Sequence, residues 1–227
     1  VLPMSQWALL ACLLLLYPVV ADAGYWAHRV RVAFPSRPDL APAYHFANFI
    51  GLQGVLLVPL ALSGAALPLL FHRLHDKVGD LGQLAGRLYS WNTVGALLGA
   101  LLGGYALLFW LDLHHIYRLM LVAICGAATI VTVQALPRHG PVGIGTAVVA
   151  VAVIASLPPW PKQRMAAGTF RTREPLPETF AGPDTFFREA RIMPDKDWIV
   201  FYEDGPTATV AVTNQDGLAL FVNGKSD

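Results

Sequence analysis

Charge is scarce in this chain. Asp, Glu, Lys and Arg make up 14% of its 227 residues, against about a quarter in soluble domains, and the shortage is concentrated between Val1 and Trp160. The formal net charge is +1. No basic stripe is available to release counterions from a phosphate backbone, so the sequence predicts no nucleic-acid partner. Cysteine is rarer still. Cys12 and Cys125 both lie in apolar runs, with no CxxC pair and no Cys/His ligand spacing. They read as small buried hydrophobes and leave the redox compartment unmarked. A phosphate loop, a Ser/His/Asp arrangement and paired carboxylates are also missing, so no catalytic residue is assigned. His72 and His75 stand beside Asp76, and His114 and His115 follow Asp112. Both groups read as solvated loop histidines, and no metal site is expected.

What the chain has instead is apolar length. Hydrophobic residues reach 55% and the mean hydropathy is +0.51. A bilayer core about 30 Å thick needs roughly 20 mostly apolar residues per spanning helix. Five segments meet or approach that need: 4–21, 46–71, 88–111, 116–136 and 142–157. Helices apolar on every face cannot be solvated by water, so the lipid bilayer is the expected partner. Trp7, Tyr25, Trp26, Tyr89, Trp110, Tyr117 and Trp160 fall at or near span ends, where amphipathic rings prefer the headgroup level. No acidic or basic residue sits at mid-membrane depth, which argues against a proton-coupled pump. Asn48, Gln53, Asn92 and Thr93 read as hydrogen-bonding groups between helices, with the lining of a substrate path as the alternative.

Details within the spans carry further expectations. Pro59 and Pro68 predict a bend in the second. Ala21-Asp22-Ala23 has the look of a signal cleavage site, but no Lys or Arg precedes Arg29, so the first segment reads as a span. Gly95, Gly99 and Gly103 repeat every four residues in the third, a stripe that lets another helix approach closely. Packing against neighbouring helices of the same chain is the simpler reading, and a homodimer contact the other. An odd number of spans puts Arg73, Lys77, Arg87 and Arg138 on one side. The other side holds Arg29, Arg31, Arg37 and Arg118 together with Lys162, Arg164, Arg171 and Arg173. The excess predicts a multi-pass plasma (inner) membrane protein with a cytoplasmic C-terminal part.

Pro158, Pro159 and Pro161 end the membrane region 1–160. Residues 161–197 read as a polar connector, with a helical turn or two from Phe186 to Arg191. Segment 198–227 alternates strand-like runs with turn clusters. Trp198 to Tyr202, Thr207 to Thr213 and Leu218 to Val222 predict a three-stranded antiparallel meander, with a hairpin signal at Asn214-Gln215-Asp216-Gly217. The fold class is therefore a mainly α-helical membrane protein of about five transmembrane helices followed by a small β-meander. Three strands are too few to bury a core alone.

Two stretches carry a resemblance. Gly86-Arg87-Leu88-Tyr89-Ser90-Trp91-Asn92-Thr93-Val94-Gly95-Ala96-Leu97-Leu98-Gly99 resembles the signature helix of membrane-fused spermidine synthase-like proteins. Phe201 to Val212, followed by Val222-Asn223-Gly224-Lys225, resembles the β-meander that opens their polyamine aminopropyltransferase domain. The resemblance implies a doubly wound α/β domain beyond the meander, binding decarboxylated S-adenosylmethionine as co-substrate. No glycine-rich loop after a strand occurs in this chain, which is accordingly expected to be inert alone. Soluble members carry a Tyr-Gln pair and a Leu-Asp-Gly where this sequence has Ala208-Thr209 and Val222-Asn223-Gly224. Thr209 and Asn223 thus become the substrate-binding candidates that the resemblance implies, although Thr lacks the paired donor and acceptor of a Gln amide. A small-molecule, polyamine-like transporter or channel module with a regulatory tail stays open as an alternative. So does a plain membrane anchor.

Overall fold

Without water in the hydrocarbon core, a chain must bond its own backbone, and a helix does so within one segment. The computed structural model describes residues 1–34, 37–75, 79–189, 199–214 and 217–226. Asp76, Lys77, Trp198, Gln215, Asp216 and the stretch from Ala190 to Arg191 lie outside these. Among the described residues, five helical segments are long and apolar enough to cross a membrane: Leu2–Ala21, Pro38–Leu74, Leu81–Phe109, Leu113–Ala135 and Pro137–Ser156. An antiparallel sheet ends the chain. The protein is a multi-pass membrane protein with a small β-layer.

The principal helices are α1 (Leu2–Ala21), α2 (Ala23–Ala33), α3 (Ala41–Gly64), α4 (Ala66–Leu74), α5 (Leu81–Gly103), α6 (Leu113–Ala135) and α7 (Gly140–Ser156). The second span divides into α3 and α4 next to Pro68, whose missing N–H leaves the Gly64 carbonyl unpaired within the helix. Pro59 stays inside α3. Asp80 starts α5 by accepting from the Gln83 N–H at 3.0 Å. The chain forms two compact units, Val1–Leu15 with Leu56–Pro158, and Leu16–Val55 with Pro159–Asp227.

In the first unit the core joins Leu10 of α1 to Leu121 and Cys125 of α6 and to Ala150 and Ile154 of α7. A Cβ on Gly143 would come within 2.9 Å of Thr132 Cγ2, so glycine is what lets α7 lie close to α6. Two hydrogen bonds tie α1 into the bundle. Trp7 Nε1 donates to Thr132 Oγ1 at 3.0 Å, and the Tyr117 hydroxyl donates to the Leu13 carbonyl at 2.8 Å. Arg73 donates to the Ala135 carbonyl at 3.0 Å, placing a cation at the negative end of α6. The glycine stripe of α5 is open. Nothing lies within 4 Å of a Cβ built on Gly95 or Gly99, and only Ile116 of α6 approaches Gly103. Packing of this stripe against the chain's own helices is therefore limited, among the described residues, to its last glycine.

The second unit is held together by polar and aromatic groups. Helices α8 (Lys162–Ala166) and α9 (Pro183–Glu189) flank a 3-10 turn at Thr169–Arg171, so the segment read as a connector is packed. His28 of α2 is fully buried. Its Nδ1 lies 3.1 Å from the Thr172 carbonyl and its Nε2 lies 3.0 Å from Thr179 Oγ1. The Leu176 N–H donates to the same Thr179 oxygen at 2.8 Å. The Thr179 hydroxyl is thereby free to donate to Nε2, and Nδ1 carries the proton toward Thr172. Phe186 stacks on His28 and meets Tyr25. Arg164 bridges Asp22 at 2.5 Å and Asp184 at 2.6 Å. Burial works against the charge of this guanidinium, but its bonds to Asp184 and Asp22 prevail and raise its pKa. These contacts bind residues 22–34, which follow the first span, to residues 160–189, which follow the fifth. Four spans intervene, and an even number returns a chain to the same face of a bilayer.

Candidate functional site

Strands β1 (Ile199–Asp204), β2 (Thr209–Asn214), β3 (Leu218–Val222) and the two-residue β4 (Lys225–Ser226) pair antiparallel in chain order. The fourth strand extends the expected three. A bulge lies between Ile199 and Phe201, after which Phe201 faces Val212 and Tyr202 faces Ala211. Side chains alternate along a strand, and the two faces differ. Tyr202, Ala211 and Phe221 line up in register and pack with Ile199 on Ala166 of α8. On the opposite face Phe201, Val212 and Leu220 line up, and Phe201 and Leu220 remain 47% and 43% exposed.

Both candidates from the sequence stand at one end of this sheet. Thr209 and Asn223 meet through two bonds. The Thr209 N–H donates to Asn223 Oδ1 at 3.0 Å, and the Asn223 N–H donates to the Thr209 carbonyl at 2.9 Å. Asn223 and Gly224 have φ of +48° and +69°, the pair of left-handed residues that a type I′ hairpin demands. The Thr209 hydroxyl donates to Asp204 Oδ1 at 2.8 Å, and so does the Tyr202 hydroxyl, also at 2.8 Å. Asp204 is buried. Lys162 Nζ stands 5.3 Å from the centre of the Tyr202 ring. The constellation is a buried carboxylate anchored by two hydroxyl donors, with an ammonium against the Tyr202 ring. Sequence reasoning ended the first strand at Tyr202 and so missed Asp204, which continues it as the i, i+2 partner of Tyr202, and it missed Lys162, forty residues upstream.

Of His72, His75, His114 and His115, one departs from the solvated-loop reading. His114 is in the first turn of α6 and is buried. Asp112, His114 and His115 offer ligand atoms all within 4.8 Å of one another, three donors where a closed tetrahedral zinc site uses four. His75 Nδ1 is 2.5 Å from the His72 carbonyl.

Backbone approach fixes where the β3–β4 turn sits. Gly168 (φ +57°), just before the Thr169–Arg171 turn, meets Gly224 so closely that a Cβ on either would overlap the other's backbone. Gly168→Ala should therefore destabilise the second unit by about 3 kcal/mol or more, through steric overlap added to left-handed strain. Gly182→Ala, with φ of +94° and open space around its Cβ, should cost only about 1–2 kcal/mol. Thermal unfolding of the two variants in detergent checks the difference, and equal losses would refute the close approach. Against this geometry, no protein-family model, no curated protein and no solved structure matches the chain.

Proposed function

We propose that this chain is the membrane anchor and opening β-layer of a spermidine synthase-like aminopropyltransferase. The observation that carries the reading is the two-faced meander. One face is covered by α8, while the other presents Phe201, Val212 and Leu220 without a covering layer among the described residues. Three to four strands with a bare apolar face are stable once a further layer packs on them. A doubly wound α/β domain is the layer that the resemblance supplies. The order of elements supports it further: a span with Gly86-Arg87-Leu88-Tyr89-Ser90-Trp91-Asn92, then the proline-rich exit, then the meander.

In this reading the membrane is the plasma (inner) membrane and the second unit is cytoplasmic, on the side with the larger share of Arg and Lys. The reaction of the complete enzyme is attack by a neutral amine on the methylene beside the sulfonium of decarboxylated S-adenosylmethionine. The new C–N bond forms as the C–S bond breaks, methylthioadenosine leaves, and an acidic residue takes the amine proton. Asp204, Thr209 and Asn223 would border the amine end of that site. The open Gly95–Gly99–Gly103 stripe supports contact with a second copy.

Two measurements test this. Polypeptide extended through the α/β domain should release methylthioadenosine from decarboxylated S-adenosylmethionine with at least one amine, whereas residues 1–227 alone should release none. No release with any amine from the extended protein would sink the reading. Separately, Ala96→Cys should form an intermolecular disulfide in membranes and lose it on Gly99→Leu. Absence of the crosslink would leave the stripe to lipid.

A further inference from the structure

Three arginines converge where the chain enters its second span. Arg31 closes α2, Arg37 precedes the 3-10 turn Pro38–Leu40, and Arg173 follows the Thr169–Arg171 turn. With Leu40, Ala41 and Tyr44 they line a cavity of about 250 Å³. All of these residues belong to the second unit. The Arg31 guanidinium lies 4.6 Å from the centre of the Tyr44 ring, which also meets Phe34 edge-on at 6.1 Å. That contact holds the guanidinium beside the ring. Asp39 takes Arg37 through Nε at 3.2 Å and Nη2 at 2.9 Å, which orients the guanidinium and uses two of its five donors. Asp39 is the only acidic residue within the Arg31–Tyr44 stretch and Glu174 adjoins Arg173, so the three arginines outnumber these two acids by one charge.

We infer that this pocket binds a phosphate group, and that the headgroup of an anionic phospholipid supplies it. Guanidinium forks match phosphate oxygens in shape and charge. The depth fits as well. Ala41 and Tyr44 open α3, the start of an apolar segment able to cross the bilayer, so the cavity stands at the level where lipid phosphates and amphipathic rings are found. Leu40 and Ala41 give it an apolar wall beside the span, suited to the glycerol and the first methylenes below a headgroup. A soluble phosphate ester would share the guanidinium contacts and leave that wall unused. This inference is independent of the aminopropyltransferase reading, since it uses none of the residues at the sheet end.

The test uses the full chain in nanodiscs of phosphatidylcholine doped with phosphatidylglycerol, with native mass spectrometry counting the lipids retained after ejection. Phosphatidylglycerol should be kept in preference to phosphatidylcholine. R31Q/R173Q should weaken that retention about thirtyfold and R37Q about fivefold, at roughly 1 kcal/mol per basic residue near an anionic surface. R31K/R173K should hold most of it, and R138Q, in the first unit, should match the unaltered chain. Should R31Q/R173Q fail to fold, R37Q and the lysine pair carry the comparison. Millimolar inorganic phosphate should leave retention unchanged; displacement of the lipid by phosphate would assign the same pocket to a soluble phosphate and overturn the lipid source. Equal retention of both lipids, or full retention by R31Q/R173Q and R37Q, would overturn the site altogether.

Discussion

The bilayer's inability to hydrogen-bond a backbone is the constraint on which the rest of the structure depends. Apolar segments in such a solvent must be helical, and their side chains need no protein cover because lipid tails serve as well. That is why α3 and α5 expose Leu52, Leu57, Leu97 and Leu101 without implying a badly packed core. Where helices do associate, the means are those of membrane proteins. Small residues allow approach, as Gly143 does at Thr132, and single hydrogen bonds such as Trp7 to Thr132 fix the register. Such bonds average only about 0.6 kcal/mol in a bilayer, so close packing carries the association and the hydrogen bonds orient it.

A different chemistry holds the second unit. There the cohesion comes from a buried histidine with both ring nitrogens bonded, from aromatic stacking on Phe186, and from an arginine shared by two carboxylates. An unbonded polar group at His28 would cost about 1–3 kcal/mol, so the pairing with Thr172 and Thr179 is as necessary as it is specific. Because these partners come from chain segments four spans apart, the unit also fixes which loops share a face of the membrane. The meander rests on this platform through Ala166 and the Gly168–Gly224 contact. The sheet end with Asp204, and the arginine pocket near Tyr44, are both built on the same unit.

Much of the helical architecture was legible in the sequence, because apolar length is a one-dimensional signal. The span limits moved by a few residues where capping decided them, as at Asp80, which starts α5 seven residues before the apolar run. The division of α3 from α4 followed from Pro68, whose effect on the backbone is local. What stayed hidden depends on contacts between distant residues. Nothing in the run from Lys162 to Glu189 announces that Thr179 and Phe186 will be buried against α2, since its prolines and charges read as a connector. The burial of His114 and the convergence of Arg31, Arg37 and Arg173 are hidden for the same reason. Thr209 and Asn223 were named by resemblance to a motif, and the bonds between them come from strand register, which residue types alone do not specify.

The central claim is that the segment after the first span and the segment after the fifth form one body on one side of a membrane. It is tested most directly by single cysteines at Asp39, Arg138 and Glu178, in a background with Cys12 and Cys125 replaced by alanine. Labelling with a membrane-impermeant maleimide before and after permeabilisation reads out the side of each. Positions 39 and 178 should label alike and position 138 oppositely. Labelling of 39 and 178 from opposite sides, or recovery of the chain in the soluble fraction without detergent, would contradict it.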